Sequence, residues 1–202
     1  QDVIKELSRL PHLPQVIRDL ENLLADEQRR RREFYDKVTE DDKAEFVNGE
    51  MVYQSPVKFE HSQASQRLFI LLKAFVDKHG LGYVGHEKLM VSLTRNDYEP
   101  DICFWRQETA AQFTPKQMRF PAPDLVVEIL SPSTEAVDRD IKFKDYAAHG
   151  VTEYWLVDPD PDTATVEQYA LREGQYALLM KSQTGLLNAL AVRSFSIPVR
   201  AI

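Results

Sequence analysis

Asp124-Leu125-Val126-Val127-Glu128-Ile129-Leu130 is a short run in which one carboxylate interrupts a stretch otherwise suited to burial. Its β-branched residues and the Ser131-Pro132-Ser133-Thr134 segment that closes it mark a buried strand. An ionised carboxylate without a partner is very costly in such a place, so Glu128 must be paired, protonated or bound to a metal. Side chains alternate across a strand, which puts Asp124, Val126, Glu128 and Leu130 on one face and Leu125, Val127 and Ile129 on the other. A second carboxylate, Asp101, opens another apolar strand, Pro100-Asp101-Ile102-Cys103-Phe104-Trp105. If the two strands are neighbours, both carboxylates can reach one cation.

Working outward, Ala44-Glu45-Phe46-Val47 and Glu50-Met51-Val52-Tyr53 flank Asn48-Gly49, a strong tight-hairpin signal. Leu68, Phe69, Leu71, Leu72, Phe75 and Val76 predict a helix from Glu60 to Lys78, stopped by Gly80. Strands are expected at about Gly82–Leu93 and Pro100–Trp105, with a turn at Arg95, Asn96 and Asp97. Residues 107–122 read as a loop with at most a short helix. Ser133 or Thr134 caps a helix expected to run to about His149, ended by Gly150. Glu153–Asp158 is a strand, and Thr165–Leu171 with Gln175–Lys181 forms a further pair. Strands joined through helices and strands joined by short turns both occur. The expected class is therefore α/β, or α+β, with a mixed sheet.

Residues 1–40 read as a helical extension and 41–202 as the main domain. In the extension, Val16, Ile17, Leu20, Leu23, Leu24 and Phe34 recur at helical spacing from Pro14 to about Val38. Arg29 to Arg32 spread around the helix circumference, so the expectation is a solvated face beside Asp26, Glu27 and Glu33, with phosphate contact as the alternative.

The chain has 202 residues, 43% of them hydrophobic, which is enough for a real core. Its net charge of −7 argues against coating DNA through bulk electrostatics but leaves room for a local basic groove. Cys103 is the single cysteine, so an intramolecular disulfide and a thiolate zinc site within one chain are both excluded. No apolar run is long enough to span a bilayer and no signal-peptide pattern stands out. The expectation is a cytoplasmic protein.

Two carboxylates on core strands with a lysine soon after point to metal-dependent phosphodiester chemistry. Mg²⁺ prefers oxygen ligands in octahedral geometry and keeps several waters, and Mn²⁺ is the natural substitute. Asp101, Glu128 and the backbone carbonyl of Ile129 are the expected ligands. Such a cation neutralises charge on a scissile phosphate and activates water. A lysine steadies water or the developing charge as a compact, mobile cation. Lys142 lies four residues from Asp138 and from Tyr146, and Lys144 lies four from Asp140. Spacing alone leaves the choice between these lysines open.

Pro100-Asp101 followed by Glu128-Ile129-Leu130 resembles the PD-(D/E)xK nuclease superfamily. Leu130 stands where that motif expects lysine, and a lysine from the next helix is a variation on the pattern. More narrowly, Pro123 to Thr134, then Lys142, Tyr146, Gly150-Val151 and Glu153-Tyr154-Trp155-Leu156-Val157-Asp158-Pro159, resembles the Uma-type restriction endonucleases. The resemblance covers about Glu45 to Ile202. It implies a restriction endonuclease-like core with flanking helices and selects Lys142 as the catalytic lysine beside Asp101 and Glu128. It also implies an Mg²⁺- or Mn²⁺-dependent endonuclease acting on nucleic acid, most naturally DNA. A homodimer is expected by analogy with duplex cleavage at two sites.

Other readings remain. Asp101 caps a turn after Tyr98 if it holds no metal, and Glu128 then sits in a buried salt bridge with Lys142. Asp124 shares the Glu128 face or merely fixes the strand start. His61, at the start of its helix, touches substrate or metal, or is a surface residue. Glu45 matches an acidic position in the family's first hairpin. Fold does not fix function, so a nuclease-fold module that binds nucleic acid or protein without catalysis is the rival, and a metal hydrolase for another phosphate substrate is a third.

Overall fold

The computed structural model describes residues 2–202. Helix α1 spans Asp2–Leu7 and α2 spans Leu13–Lys37, with Pro14 in its first turn, where a missing N–H costs nothing. The hairpin β1 (Ala44–Val47) and β2 (Glu50–Tyr53) turns at Asn48 and Gly49, both at positive φ, as its two-residue loop requires. Helix α3 (Phe59–His79) ends on Gly80 in the left-handed conformation.

The strand expected from Gly82 to Leu93 is two strands, β3 (Gly82–His86) and β4 (Met90–Ser92). Glu87 and Lys88 between them have φ of 47° and 41°, which no ladder accommodates, and the two strands enter different sheets. Then follow β5 (Asp97–Tyr98), β6 (Ile102–Arg106), α4 (Gln107–Ala110), β7 (Arg119–Phe120) and β8 (Leu125–Ile129).

The helix expected to run unbroken from its cap to about His149 is three pieces. These are α5 (Glu135–Val137), a π-helical turn at Asp138–Lys142, and α6 (Phe143–Ala148). Thr134 stands at the N-cap position but makes no side-chain cap bond; its hydroxyl meets that of Ser131 at 3.0 Å. The chain finishes with β9 (Glu153–Asp158), β10 (Thr165–Arg172), β11 (Gln175–Ser182), β12 (Leu186–Asn188), β13 (Ser196–Pro198) and a 3₁₀ turn at Val199–Ala201.

Six strands form a mixed sheet in the order β11-β10-β9-β8-β6-β3, in which β8 and β9 are parallel and the other pairs antiparallel. The α5–α6 segment is the crossover that a parallel pair demands. Its face with Leu125, Val127 and Ile129 packs on Leu68, Leu72 and Val76 of α3. Full burial of each such side chain stabilises by about 1.5–3 kcal/mol. The opposite face, with Val126 and Leu130, packs on Tyr146 of α6 and on Val91 and Tyr98 of a five-stranded sheet, β2-β1-β5-β4-β7. Glu128 belongs to this second face, between the two sheets.

Among the described residues, the contacts that anchor helix α2 come from its C-terminal half. Phe34 is buried against Ala44, Phe46 and Met90, whereas Ile17, Leu20, Leu23 and Leu24 are exposed. Helical spacing foretold the helix but not what covers it. Arg31 also departs from the solvated face expected for the basic run. It pairs with the fully buried Asp97 at 2.7 and 2.8 Å and donates to the Leu93 and Thr94 carbonyls. Its place on the helix faces the β4–β5 turn, a relationship that composition does not carry. Arg29 keeps to the expected surface pairs with Asp26 and Glu33. Among the described residues, no helix is long and apolar enough to cross a membrane.

Candidate active site

The antiparallel register of β6 on β8 sets Ile102 opposite Val127. One step further along, Asp101 comes level with Glu128. The Asp101 backbone nitrogen lies 3.5 Å from Glu128 Oε2, and Asp101 Oδ2 accepts the Ile129 backbone N–H at 2.8 Å. Two acids 27 positions apart are thus brought together by strand pairing.

Lys142 completes the group. Its ammonium lies 3.0 Å from Glu45 Oε1, 3.1 Å from Glu128 Oε1 and 3.3 Å from Asp138 Oδ1. It is 2% exposed and Glu128 is 3% exposed, so solvent does not screen these contacts. The wider π turn puts Asp138 and Lys142 on the same inward side. Lys144 points out and pairs with Asp140 at the surface. Tyr146 donates to Glu128 Oε1 at 3.2 Å, and Glu45 accepts the backbone N–H of Glu99 at 2.9 Å.

One ammonium cannot satisfy this many buried acids. Burial pushes the Glu128 carboxyl well up; Lys142 opposes this, while Asp138, Asp101 and Glu45 add to it. Burial likewise raises Asp138, against the pull of Lys142. Glu99 is raised to about 7 by burial and by the charge of Glu45. Burial works against the Lys142 ammonium, but its three carboxylate neighbours prevail and it stays charged, with its pKa well above the ordinary value. Asp101 runs the other way. Burial disfavours its charge, yet His61, Lys43 and the Ile129 N–H outweigh burial and lower its pKa.

His61 Nε2 lies 3.3 Å from Asp101 Oδ2, and Lys43 Nζ lies 3.7 Å from Oδ1. Among the described residues, His61 Nδ1 and both carboxylate oxygens of Asp138 are buried without a hydrogen-bond partner. The Lys142–Asp138 approach is therefore a charge contact without hydrogen-bond geometry.

Apart from Lys43 and Tyr146, these groups line one cavity of about 440 Å³, open to solvent, with Ile129 and Leu130 in its wall. No three His, Cys, Asp or Glu side chains among the described residues form a ready-made metal cage. Lys142 already occupies the space between Glu45 and Glu128. The donor set nonetheless fits a hard divalent cation that keeps most of its waters. Among the described residues, Asp101 Oδ1 meets only Lys43 at 3.7 Å, and Glu128 Oε2 only the 3.5 Å backbone contact, so each acid keeps an oxygen with little to hold.

The structure brings together Asp101, Glu128, Ile129, Lys142, Glu45 and His61. It leaves Asp124 apart. That carboxylate accepts the Arg106 backbone N–H at 2.9 Å and pairs with its guanidinium across 3.1 Å, pinning the start of β8 to the end of β6. Sequence reasoning missed Glu99 and Lys43, and gave Asp138 no role beyond its four-residue spacing from Lys142. Acids on both sides of Pro100 were the available signal for Glu99. Asp138 gave none, because its burial depends on the π turn.

The model of the Uma2 family, described as "Putative restriction endonuclease", matches residues 27–200. An uncharacterized protein of Synechocystis is 33% identical over 121 residues, which are 57% of this chain and 60% of that protein. The chain thus spans less than two thirds of the length of this curated relative. A crystal structure from Anabaena variabilis, described as a putative nuclease belonging to DUF820, superposes with a TM-score of 0.66. That likeness runs at 18% identity over 78% of this chain and 88% of the other, and it shows a shared fold.

Proposed function

The chain belongs to the Uma2 restriction endonuclease family, and from that premise we propose that it is a divalent-metal-dependent endonuclease hydrolysing phosphodiester bonds in DNA. The observation that carries this reading is the convergence of Asp101 and Glu128, with the Lys142 ammonium 3.1 Å from Glu128 Oε1.

Asp101, Glu128 and the Ile129 carbonyl would hold Mg²⁺ or Mn²⁺, which supplies neutralising charge for the phosphate and a more acidic water. Lys142 places a fixed positive charge where the phosphorane gains negative charge, in a site sheltered from solvent. Tyr146 and Lys142 hold Glu128 Oε1, leaving Oε2 turned toward Asp101. His61 and the Ile129 N–H fix Asp101 Oδ2, so that Oδ1, with Lys43 at 3.7 Å, is the oxygen that would face the cation. Water attacks phosphorus in line and gives up one proton to solvent as the new P–O bond forms; the bond to the leaving oxygen breaks, and that oxygen takes a proton from solvent.

Residues 1–40 act in this reading as an extension docked on residues 41–202 through Arg31 and Phe34. The exposed Ile17, Leu20 and Leu24 of α2 support a homodimer through that helix.

Thermal denaturation with and without Mn²⁺ tests the metal site. Wild type should be stabilised, and Asp101→Asn and Glu128→Gln should lose that shift. Equal shifts in all three proteins sink the site. A cleavage assay on DNA then separates a nuclease from a non-catalytic module of the same fold, the reading favoured by Leu130 at the usual lysine position.

A further inference from the structure

A second cavity, of about 290 Å³, adjoins the catalytic one, and Glu60 and Pro159 line both. The fold explains the adjacency. Strands β8 and β9 are parallel, so their C-terminal ends lie together. Residues 131–134, after β8, wall the first cavity, and Pro159 and Pro161, after β9, wall the second. Helix α3 runs past both. His61 lines the first, while Ala64 and Arg67, one and two turns beyond Glu60, line the second.

The two cavities differ in charge. The lysines of the catalytic cavity are committed: Lys58 lies 3.4 Å from Glu60, and Lys142 is enclosed by three carboxylates. The basic side chains of the second cavity are Arg67 and Arg200, both exposed. Among the described residues, neither pairs with an Asp or Glu side chain. Arg67 donates to the Ile202 carbonyl at 3.4 Å, which brings its guanidinium to the 3₁₀ turn that carries Arg200. The acids of this wall are already engaged. Asp158 accepts the Asp160 N–H on one oxygen and the Thr163 hydroxyl on the other, and Glu60 has Lys58. Uncommitted guanidiniums offer planar forks of donors that match phosphate oxygens. Such a local field attracts an anion even on a chain of net charge −7.

Adjacency selects the occupant. The catalytic cavity takes one phosphodiester of a polymer, and the same strand carries further phosphates at regular spacing. From His61 to Arg67 is six residues of helix (67 − 61), about 9 Å, or about three phosphates along one strand of B-form duplex. A mononucleotide fills one cavity; a strand that crosses the boundary at Glu60 and Pro159 uses both.

We propose that Arg67 and Arg200 form a subsite for a backbone phosphate of the DNA, about three nucleotides from the scissile one. The proposal deepens the nuclease reading and takes its polymer and its scissile phosphate from it.

The test is fluorescence anisotropy with a labelled duplex, with Ca²⁺ in place of Mg²⁺ to hold back cleavage. Arg67→Ala/Arg200→Ala should weaken binding by about tenfold or more and flatten the slope of log affinity against log salt by about 1–2. Arg67→Lys/Arg200→Lys should keep most of the affinity. Arg172→Ala, which removes an exposed arginine at the β10–β11 hairpin, should change neither quantity. On bis(p-nitrophenyl) phosphate, whose single phosphate cannot span both cavities, the double alanine variant should match wild type. Undiminished affinity and slope in the double alanine variant, or an equal loss in Arg172→Ala, overturns the proposal. So does an equal loss of turnover on DNA and on bis(p-nitrophenyl) phosphate, since the arginines then act through the catalytic floor. If the double variant binds DNA like wild type while Asp101→Asn abolishes cleavage, the subsite fails and the nuclease reading stands. If the Mn²⁺ shift and all cleavage are absent but the double variant still loses DNA affinity, the nuclease reading fails and the arginines stand as the phosphate site of a non-catalytic module.

Discussion

Lys142 and Glu128 meet at 3.1 Å, and the same ammonium reaches Glu45 at 3.0 Å, so one buried charge joins the six-stranded sheet to the five-stranded one. Removing one partner of such a cluster leaves charges with nowhere to go.

Lys142→Met should therefore destabilise the protein at pH 8 by about 3–5 kcal/mol, the usual cost of breaking a buried pair. The loss should shrink toward pH 5. Glu128 and Asp138 already have raised pKa values, and their protonation removes the uncompensated charge. Cleavage should be abolished. Lys144, whose side chain is 74% exposed beside Asp140, is the control. Lys144→Ala should stay within about 0.5 kcal/mol of wild type in urea unfolding and cleave normally. The opposite pattern would reassign the catalytic lysine.

Glu99 gives a pH signature. Its folded pKa is about 7 against an ordinary value of 4.5, so the folded state holds the proton more tightly. Stability then falls as pH rises from 4.5 to 7, and the whole penalty is present above 7. At about 1.4 kcal/mol per pH unit, this amounts to roughly 3 kcal/mol. Glu99→Gln, unfolded by urea in EDTA, should match wild type at pH 4.5 and exceed its stability at pH 8. A constant difference across that range would show that Glu99 titrates normally.

Arg31, itself only half-buried, forks onto the fully buried Asp97, to which Tyr35 and Ser92 also donate. Arg31→Ala should cost about 3–5 kcal/mol because Asp97 loses its counter-charge. Arg31→Lys should recover little, since an ammonium cannot reproduce the planar fork. Asp97→Asn in the Ala background should restore part of the loss. Arg29→Ala, on the solvated side of the same helix, should change urea unfolding by less than about 1 kcal/mol. Similar losses for Arg29 and Arg31 would mean that α2 is not anchored here.

Gly82 has φ of +148°, and a Cβ there would lie 2.0 Å from the Trp105 carbonyl oxygen. Gly82→Ala must break the Gly82–Arg106 pairing at the edge of the main sheet. The expected loss exceeds about 2 kcal/mol in chemical denaturation. Gly174, at φ of +80° with nothing within 4 Å, offers the contrast. Gly174→Ala should cost only the backbone strain, about 1–2 kcal/mol. Equal effects would imply that β3 gives way around the new methyl.

Much of this architecture was legible along the chain. Asn48-Gly49 declared its hairpin because only residues that tolerate positive φ close a two-residue loop. The alternation through Asp124–Leu130 told the face of Glu128, since successive strand residues point to opposite sides. Other features escaped for equally physical reasons. Glu87 and Lys88 look like ordinary strand residues, and their left-handed conformations reflect the departure of the chain to a second sheet. The π turn at Asp138–Lys142 has no compositional mark. The stripe on α2 showed helical period, but period does not say whether a partner covers it.

By itself, the sequence determined which residues had to be inside and that Glu128 could not be there alone, because burial of charge is costly wherever it happens. Only the tertiary structure decided who keeps it company. Strand register set Asp101 level with it, a widened helical turn swung Lys142 inward, and a second sheet delivered Glu45. Such meetings join positions far apart along the chain. They are decided by how whole elements pack, and no local pattern records that outcome.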